Sequence, residues 1–513
     1  MQQQQDNDNH EDATARTQGA PFPKKFRLGF TRSRAGCVNC RRRKKKCDQV
    51  KPQCTLCKRL NAKCEWPETI TNPQNPSKDY AKNHPSSSST VPDSLPKPQT
   101  TLSIRSGRAC ELTSDSFRLL EHYAKVTAVQ LPACTWTEMR NPFLDCFFPL
   151  AHEDDLMMHS VLAISGAHLS YKNQEIASFG INTNKHYVYV LRGLQKEISQ
   201  CSSADVERLI RLLAVSAFLC IYEVLAGSAY TALSHHLNAL RQGLSYINDR
   251  GLNASAISEE IRFIHCVLRD VYSYTMLCNI LMPTRQSSDS PINLSVMSST
   301  PGPTPLRTLN AIYGGGKSLY EMIPRANALF SYRLAEQAAG EVEPTAAFME
   351  QYMDLNRAID SWSTSHDLHG AQNNDPGYIR VWKENVVAAE CLQSALRMYI
   401  MAARIGGRAP SPTEDAAIQR EVMDFAQKCR GIIDTESTSS ILWSITVVGS
   451  CVTIPAIQQE ISLLLRVTKF QFRPVARVCN SLEMLWADKD PTSFGPYGLQ
   501  RVLEKNNCTY SIY

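Results

Sequence analysis

From Ser114 onward, apolar and polar positions follow a helical period. Phe117, Leu120, Ala124 and Ala128 recur at i, i+3, i+7 and i+11, the face of one helix, and Pro132 ends the run. Residues 156–171 are apolar on most sides and predict a core helix. Residues 206–225 and 230–247 predict a helix pair separated around Gly227, and 262–282 continue the pattern. Residues 283–308 are rich in Pro, Ser and Thr and predict a long surface loop. Further helical runs follow at 346–362, 378–403, 416–433, 442–465 and 474–486. Alternating strand patterns with hairpin turns are nearly absent. The predicted fold class is therefore mainly α, with a large all-α domain over residues 113–513.

The N-terminal fifth of the chain lacks this periodicity. Residues 1–30 are polar and poor in aliphatics and predict a disordered polar and basic arm. Residues 68–112 are Pro-, Ser- and Thr-rich, with four consecutive serines at 86–89, and predict a disordered linker. No apolar heptads occur there, so a coiled coil in this segment is not expected. Between arm and linker, residues 31–67 form a separate small module whose cysteines carry the chemistry.

Charge sharpens this division. Between Lys24 and Lys63 there are fifteen Lys or Arg and one acid, Asp48. That segment carries +14, which leaves −8 on the remainder of a chain whose net charge is +6. A basic arm on an acidic body suits a polyanion binder whose main domain stays off the phosphates. Twelve of the eighteen cysteines lie outside residues 31–67, scattered singly, as at Cys220, Cys266, Cys391 and Cys451. They read as reduced, packed thiols of a nuclear or cytosolic protein. The start of the chain has no apolar core, so no signal peptide is expected. Residues 437–459 carry no charge, but only about seventeen of them are mainly apolar, short of the about twenty a spanning helix needs. A buried core helix is expected there, and no membrane.

The cysteines of the small module read C-x2-C-x6-C-x6-C-x2-C-x6-C, from Cys37 through Cys40, Cys47, Cys54 and Cys57 to Cys64. The two halves repeat each other, and each suggests a turn offering two thiolates followed by a short helix delivering a third. All-cysteine structural sites suit zinc. Two tetrahedral zincs need eight ligand positions, which six sulfurs fill only if two of them bridge. Disulfides between residues so close in sequence fit poorly, and no βαβ pattern supports a thioredoxin-like pair. The first half also carries six consecutive cations, Arg41 to Lys46, which repel one another unless a polyanion lies near.

These residues resemble the fungal binuclear zinc cluster transcription factors. The likeness rests on all six cysteines, the basic run after Cys40, Asp48 after Cys47, and Pro52 two residues before Cys54. The resemblance implies two zinc ions bridged by Cys37 and Cys54, with Cys40 and Cys47 completing one site and Cys57 and Cys64 the other. It also implies that Arg43 and Lys44 read bases at a CGG-type triplet in the major groove of double-stranded DNA. Arg41, Lys46 and Lys51 are better placed for phosphates.

A second likeness lies in the body. Met158-His159 through Ala167-His168-Leu169, Ile221-Tyr222-Glu223 with His236-Leu237, and Leu442-Trp443 to Gly449 resemble the regulatory domain of fungal transcription factors, including the sterol-uptake regulators. Ser444 stands where relatives often have Pro. This resemblance implies an α-helical regulatory domain that holds a small apolar ligand. Because no heptads follow Cys64, either a homodimer forms through this domain or the basic Lys24–Arg34 arm extends a monomeric site, and the homodimer is the expectation.

Other chemistry finds no support. Gly314-Gly315-Gly316-Lys317-Ser318 resembles the end of a P-loop, but Ala311 stands where the pattern needs Gly and no strand precedes it. His159 and His168 are nine apart, and His235 and His236 are adjacent, so neither pair shares a helix face as zinc ligands would. No nucleophile elbow or dinucleotide fingerprint is present, and no enzyme is expected. The sequence reads as a nuclear, zinc-dependent, sequence-specific transcription regulator. The alternative is a zinc-cluster protein that acts mainly as a ligand sensor or protein-interaction scaffold, with secondary DNA contact.

Overall fold

The computed structural model describes residues 37–42, 47–48, 50–61, 63–66, 112–133, 141–172, 177–200, 205–227, 230–250, 258–281, 311–363, 375–433, 435, 438–468 and 471–508. The arm, most of the linker and the 283–308 loop lie outside the described residues. The chain divides into two compact units, Met1–Thr101 and Leu102–Tyr513. In the first, the described helices are α1 (Val38–Arg42) and α2 (Thr55–Arg59).

The second unit is helical throughout its described length, apart from loops. It begins with α3 (Ser114–His122), which Thr113 caps in a reciprocal capping box with Ser116. The next turn, Tyr123–Thr127, is a π-helix, and α4 (Ala128–Gln130) closes the run. This corrects the apolar face read from the sequence. Phe117 is 58 % exposed, whereas Ser116, Leu119, Tyr123 and Thr127 are buried, so the buried stripe runs through 116, 119, 123 and 127 and meets the expected face only at Ala128. A second π turn, Phe143–Phe147, leads into α5 (Phe148–Glu153).

The first core layer is α6 (Asp155–Lys172) packed against α7 (Ala177–Gln200) and α8 (Val206–Ala226), with α8 also packed on α9 (Tyr230–Arg250) and α10 (Glu259–Cys278). α8 ends at Gly227, whose φ of 82° is the left-handed cap that costs glycine nothing. A second layer centres on α14 (Pro376–Ile405). Around it pack α11 (Lys317–Tyr320), α12 (Ile323–Ala338), α13 (Ala346–Asp360), α15 (Pro412–Arg430) and α16 (Thr438–Ser450). α17 (Pro455–Val467), α18 (Arg473–Ala487) and α19 (Gly495–Lys505) complete the chain, and α18 reaches back to α8.

The apolar 442–465 stretch is not one helix. α16 is almost wholly buried, the backbone breaks after Ser450, and Pro455 starts α17. Gln419 satisfies the break: its amide donates to the Cys451 carbonyl at 2.8 Å, and its carbonyl accepts from the Thr453 N–H at 3.2 Å. Trp443 is buried on α16, donates to the Ile280 carbonyl at 3.3 Å and stacks on Tyr399. Gly449 lets α18 approach, since a Cβ there would lie 2.6 Å from Leu482. Two helices are long and apolar enough to cross a membrane, Val206–Ala226 and Pro376–Ile405, and both are mostly buried within the body.

One surface device sets a measurable pH dependence. Ser411 caps α15 in a capping box with Glu414, and both nitrogens of the Arg408 fork reach the Glu414 carboxylate at 2.7 Å. The Arg408 hydrogen bonds hold the Glu414 carboxyl at about 2, below its ordinary 4.5. The folded value lies below the unfolded one, so this stabilisation is complete above the unfolded value and is lost as pH falls through the folded one. The pair is partly exposed and screened. Glu414→Gln should therefore cost about 1 kcal/mol at pH 7, and the gap should narrow towards pH 3. Denaturant titrations at the two pH values check this, and an equal loss at both would reject the ion-pair account.

Candidate metal centre and nucleic-acid interface

The local fold of the small module repeats itself as its sequence does. In each half the second cysteine's backbone N–H donates to the sulfur of the first. Cys40 N lies 3.4 Å from Cys37 Sγ, and Cys57 N lies 3.4 Å from Cys54 Sγ. Each turn opens a five-residue helix, α1 or α2. The two turns face each other. Cys37 Sγ lies 3.8 Å from Cys54 Sγ and 3.7 Å from Cys57 Sγ, and Cys40 Sγ lies 3.6 Å from Cys54 Sγ and 4.0 Å from Cys57 Sγ.

These separations fit metal coordination. They are far longer than a disulfide of about 2.05 Å. A tetrahedron with Zn–S bonds of about 2.3 Å has edges of about 3.8 Å. Cys37, Cys40, Cys54 and Cys57 are buried together, and Cys47 and Cys64 pack against them partly exposed. Cys54 also groups with Cys47 and Asp48. Its N–H donates to Cys64 Sγ at 3.3 Å, and the Cys37 sulfur contacts Cys64 as well.

Burial first, then neighbouring sulfurs, push the Cys57 thiol up to about 12, and the same causes raise Cys40. For Cys37, burial is outweighed by the Cys40 N–H and nearby thiols, so its value falls; Cys54 falls mainly through the Cys57 N–H. Thiols held protonated at neutral pH become ligands only when a metal displaces their protons.

Several contacts hold the module around this centre. Asp48 accepts from the Thr55 N–H at 3.1 Å and ties the first loop to the start of α2. Val38 N donates to the Glu65 carbonyl at 2.7 Å, and Asn39 Nδ2 donates to the Lys63 carbonyl at 3.1 Å. Both link α1 to the chain flanking Cys64. Trp66 donates to the Pro52 carbonyl at 2.9 Å, and its ring lies under the Lys51 ammonium at 5.6 Å. Sequence reasoning misses Trp66, for which the available signal is a lone tryptophan two residues past the last cysteine.

The basic residues divide. Lys51 is exposed on the module surface, as are Lys58 and Arg59 on α2. Arg41 and Arg42 end α1 by backbone, while their side chains, together with Arg43, Lys44 and Lys46, lie outside the described residues.

Elsewhere among the described residues, clusters of three or more metal-capable side chains do not occur outside this module. His159 pairs with His186 at 2.7 Å between α6 and α7, and His168 lies 3.3 Å from His122 and 3.0 Å from the Thr127 hydroxyl. Lys317 is committed to Asp270 at 3.1 Å and lies over the Tyr313 ring. The described cysteines of the body are free thiols, most of them buried.

Two family descriptions match the chain. The fungal Zn(2)-Cys(6) binuclear cluster domain matches residues 35–73, and the fungal specific transcription factor domain matches residues 118–500. Binuclear clusters of this kind bind two zinc ions. Among curated proteins, the zinc cluster transcription factor CZF1 of Candida albicans is 44 % identical over 66 residues, which are 13 % of this chain and 15 % of that protein. The transcriptional activator protein UGA3 of Saccharomyces cerevisiae is 25 % identical over 226 residues, 39 % of this chain and 42 % of that protein. The chain thus spans well under two thirds of these relatives' length. No solved structure matches it.

Proposed function

Because the chain belongs to the fungal Zn(2)-Cys(6) binuclear cluster transcription factors with a fungal-specific transcription factor domain, we propose that it regulates transcription in the nucleus by reading CGG-type triplets in double-stranded DNA. The observation that carries the reading is the juxtaposition in the small module. A core made of cysteine sulfurs anchors the start of α1, and the cations from Arg41 to Lys46 continue from that helix. A rigid origin lets side chains at the far end reach base edges without first ordering a loop. Arg43 and Lys44 read guanine O6 and N7, and Arg41, Lys46 and Lys51 contact phosphates. The stacking of Lys51 on Trp66 supports its part, because it holds the ammonium at the surface.

Cys37 and Cys54 bridge the two zincs. Cys40 and Cys47 complete one site, and Cys57 and Cys64 the other. The contacts of Cys54 with both flanks support this division. One triplet carries little information, so a second contact is required, and the helical body supplies it by pairing two chains. The body also acts as the regulatory part, holding a small apolar ligand as the likeness to sterol-uptake regulators suggests.

Selection of random duplexes on the full zinc-loaded chain tests the reading. Enriched sites should contain CGG triplets, paired at a fixed spacing if two chains bind together. Enrichment of no motif, with binding that collapses in moderate salt, would reject sequence reading and leave the body as the working part.

A further inference from the structure

The helical body carries a half-open cavity of about 150 Å³ where α4, α8, α10, α16 and the start of α18 converge. Its walls are mainly apolar, with Leu225, Val271, Tyr274 and Leu442 among them. Among the polar groups in this lining, two are left unpaired. The side-chain carbonyl of Gln130 and the hydroxyl of Ser439 are both buried without a hydrogen-bond partner, and both residues line the cavity. Tyr274 does not satisfy them, since its hydroxyl donates to the backbone carbonyl of Ser439. A buried acceptor and a buried hydroxyl left unpaired are costly, and folded proteins rarely keep them without a reason. Dry apolar walls alone would give no preference for a polar ligand.

We propose that this cavity is a binding site for a small molecule with one apolar ring and one hydroxyl, of the phenol type. Size fixes the ring. A cavity of about 150 Å³ holds a molecule such as benzene, whereas sites for drug-sized ligands run to about 300–1,000 Å³. A four-ring sterol would require the walls to open. The orphaned atoms fix the polar group. The ligand hydroxyl donates to the Gln130 carbonyl and accepts from Ser439, while the ring replaces empty space against Leu225, Val271 and Leu442. The site draws on parts of the body far apart in sequence, so occupancy would brace α8 and α10 against α16. This assignment deepens the regulatory-ligand reading above and rests on it, but it concerns binding alone and does not depend on how DNA is read.

The test uses the full zinc-loaded chain with 4-fluorophenol, fluorobenzene and cholesterol as probes, read by fluorine NMR for the first two and by thermal shift for all three. The expected result is saturable binding of 4-fluorophenol, tighter than fluorobenzene by about 2- to 12-fold, the factor one net hydrogen bond supplies. Gln130→Leu should abolish that preference while fluorobenzene still binds, and Ser439→Ala should reduce it. Both variants remove an unpaired polar atom, so neither threatens the fold. Absence of saturable binding by both fluorinated probes would overturn the site. Equal affinity for the two in the unaltered chain would overturn the role of the polar atoms. Binding of cholesterol alone would overturn the size assignment yet leave a ligand-regulated body standing.

Discussion

Cys54→Ser should strip both zincs from the small module and unfold it, the largest effect expected of any single substitution in this chain. Among the described residues of the module, the fully buried apolar ones are cysteines, with Leu56 and Trp66 only partly covered. A segment of about thirty residues cannot bury enough surface to fold alone. The free energy of zinc binding is therefore its folding free energy, of the order of 10–16 kcal/mol for structural zinc in comparable small modules. The Cys54 sulfur groups with Cys47 and the Cys54 N–H reaches Cys64 Sγ, and the bridging role proposed for Cys54 therefore predicts a larger loss there than at Cys47. Native mass spectrometry of the full chain should show two zincs in the unaltered protein. Cys54→Ser should retain neither at full occupancy, and Cys47→Ser should primarily lose one. A single zinc in the unaltered chain, or two retained by Cys54→Ser, would contradict the bridged arrangement. A strong chelator should act like Cys54→Ser on the small module and leave the buried helices of the body unfolding at their former temperature, because that unit holds its own apolar core.

What the sequence disclosed follows the range of the interactions involved. Zinc ligands are supplied by local turns, so the spacing of the cysteines alone exposes them. Long, strongly apolar helices were equally legible: the runs at 206–225 and 378–403 correspond to Val206–Ala226 and Pro376–Ile405. Elements without a clean apolar stripe escaped. α7 is polar along most of its length, with Thr183, Val190 and Leu194 as buried points. α12 buries Arg333 and Glu336 at core positions beside Ala326, Leu329 and Phe330, which interrupts the apolar period. Arg333 is tolerated there because it pairs with Glu336 at 3.0 Å and donates to the Glu341 carbonyl at 3.3 Å. The π turn at Tyr123–Thr127 and the break after Ser450 are backbone features that the apolar pattern does not encode. The Trp66–Lys51 contact and the cavity beside Gln130 join residues that only the folded chain brings together.

Arg43→Ala should weaken binding to a CGG-containing duplex by about 1–3 kcal/mol and leave a duplex with that triplet mutated nearly unaffected. Lys44→Ala should behave in the same way. The reason is geometric. α1 starts at the sulfur core and runs through Arg42, immediately before Arg43 and Lys44 in the sequence. An Arg or Lys that reads guanine O6 and N7 makes that contact only on the correct base. Arg41→Ala and Lys46→Ala remove phosphate contacts instead. They should weaken both duplexes alike and lower the slope of log affinity against log salt by about one unit each. Lys51→Ala belongs with this second group, and Trp66→Leu should reproduce part of its effect by releasing the Lys51 ammonium from the ring that holds it. Binding of the full zinc-loaded chain to matched and CGG-mutated duplexes across a salt series separates the two classes. If Arg43→Ala and Arg41→Ala lose affinity equally on both duplexes, Arg43 is a phosphate contact and the triplet is read by other residues.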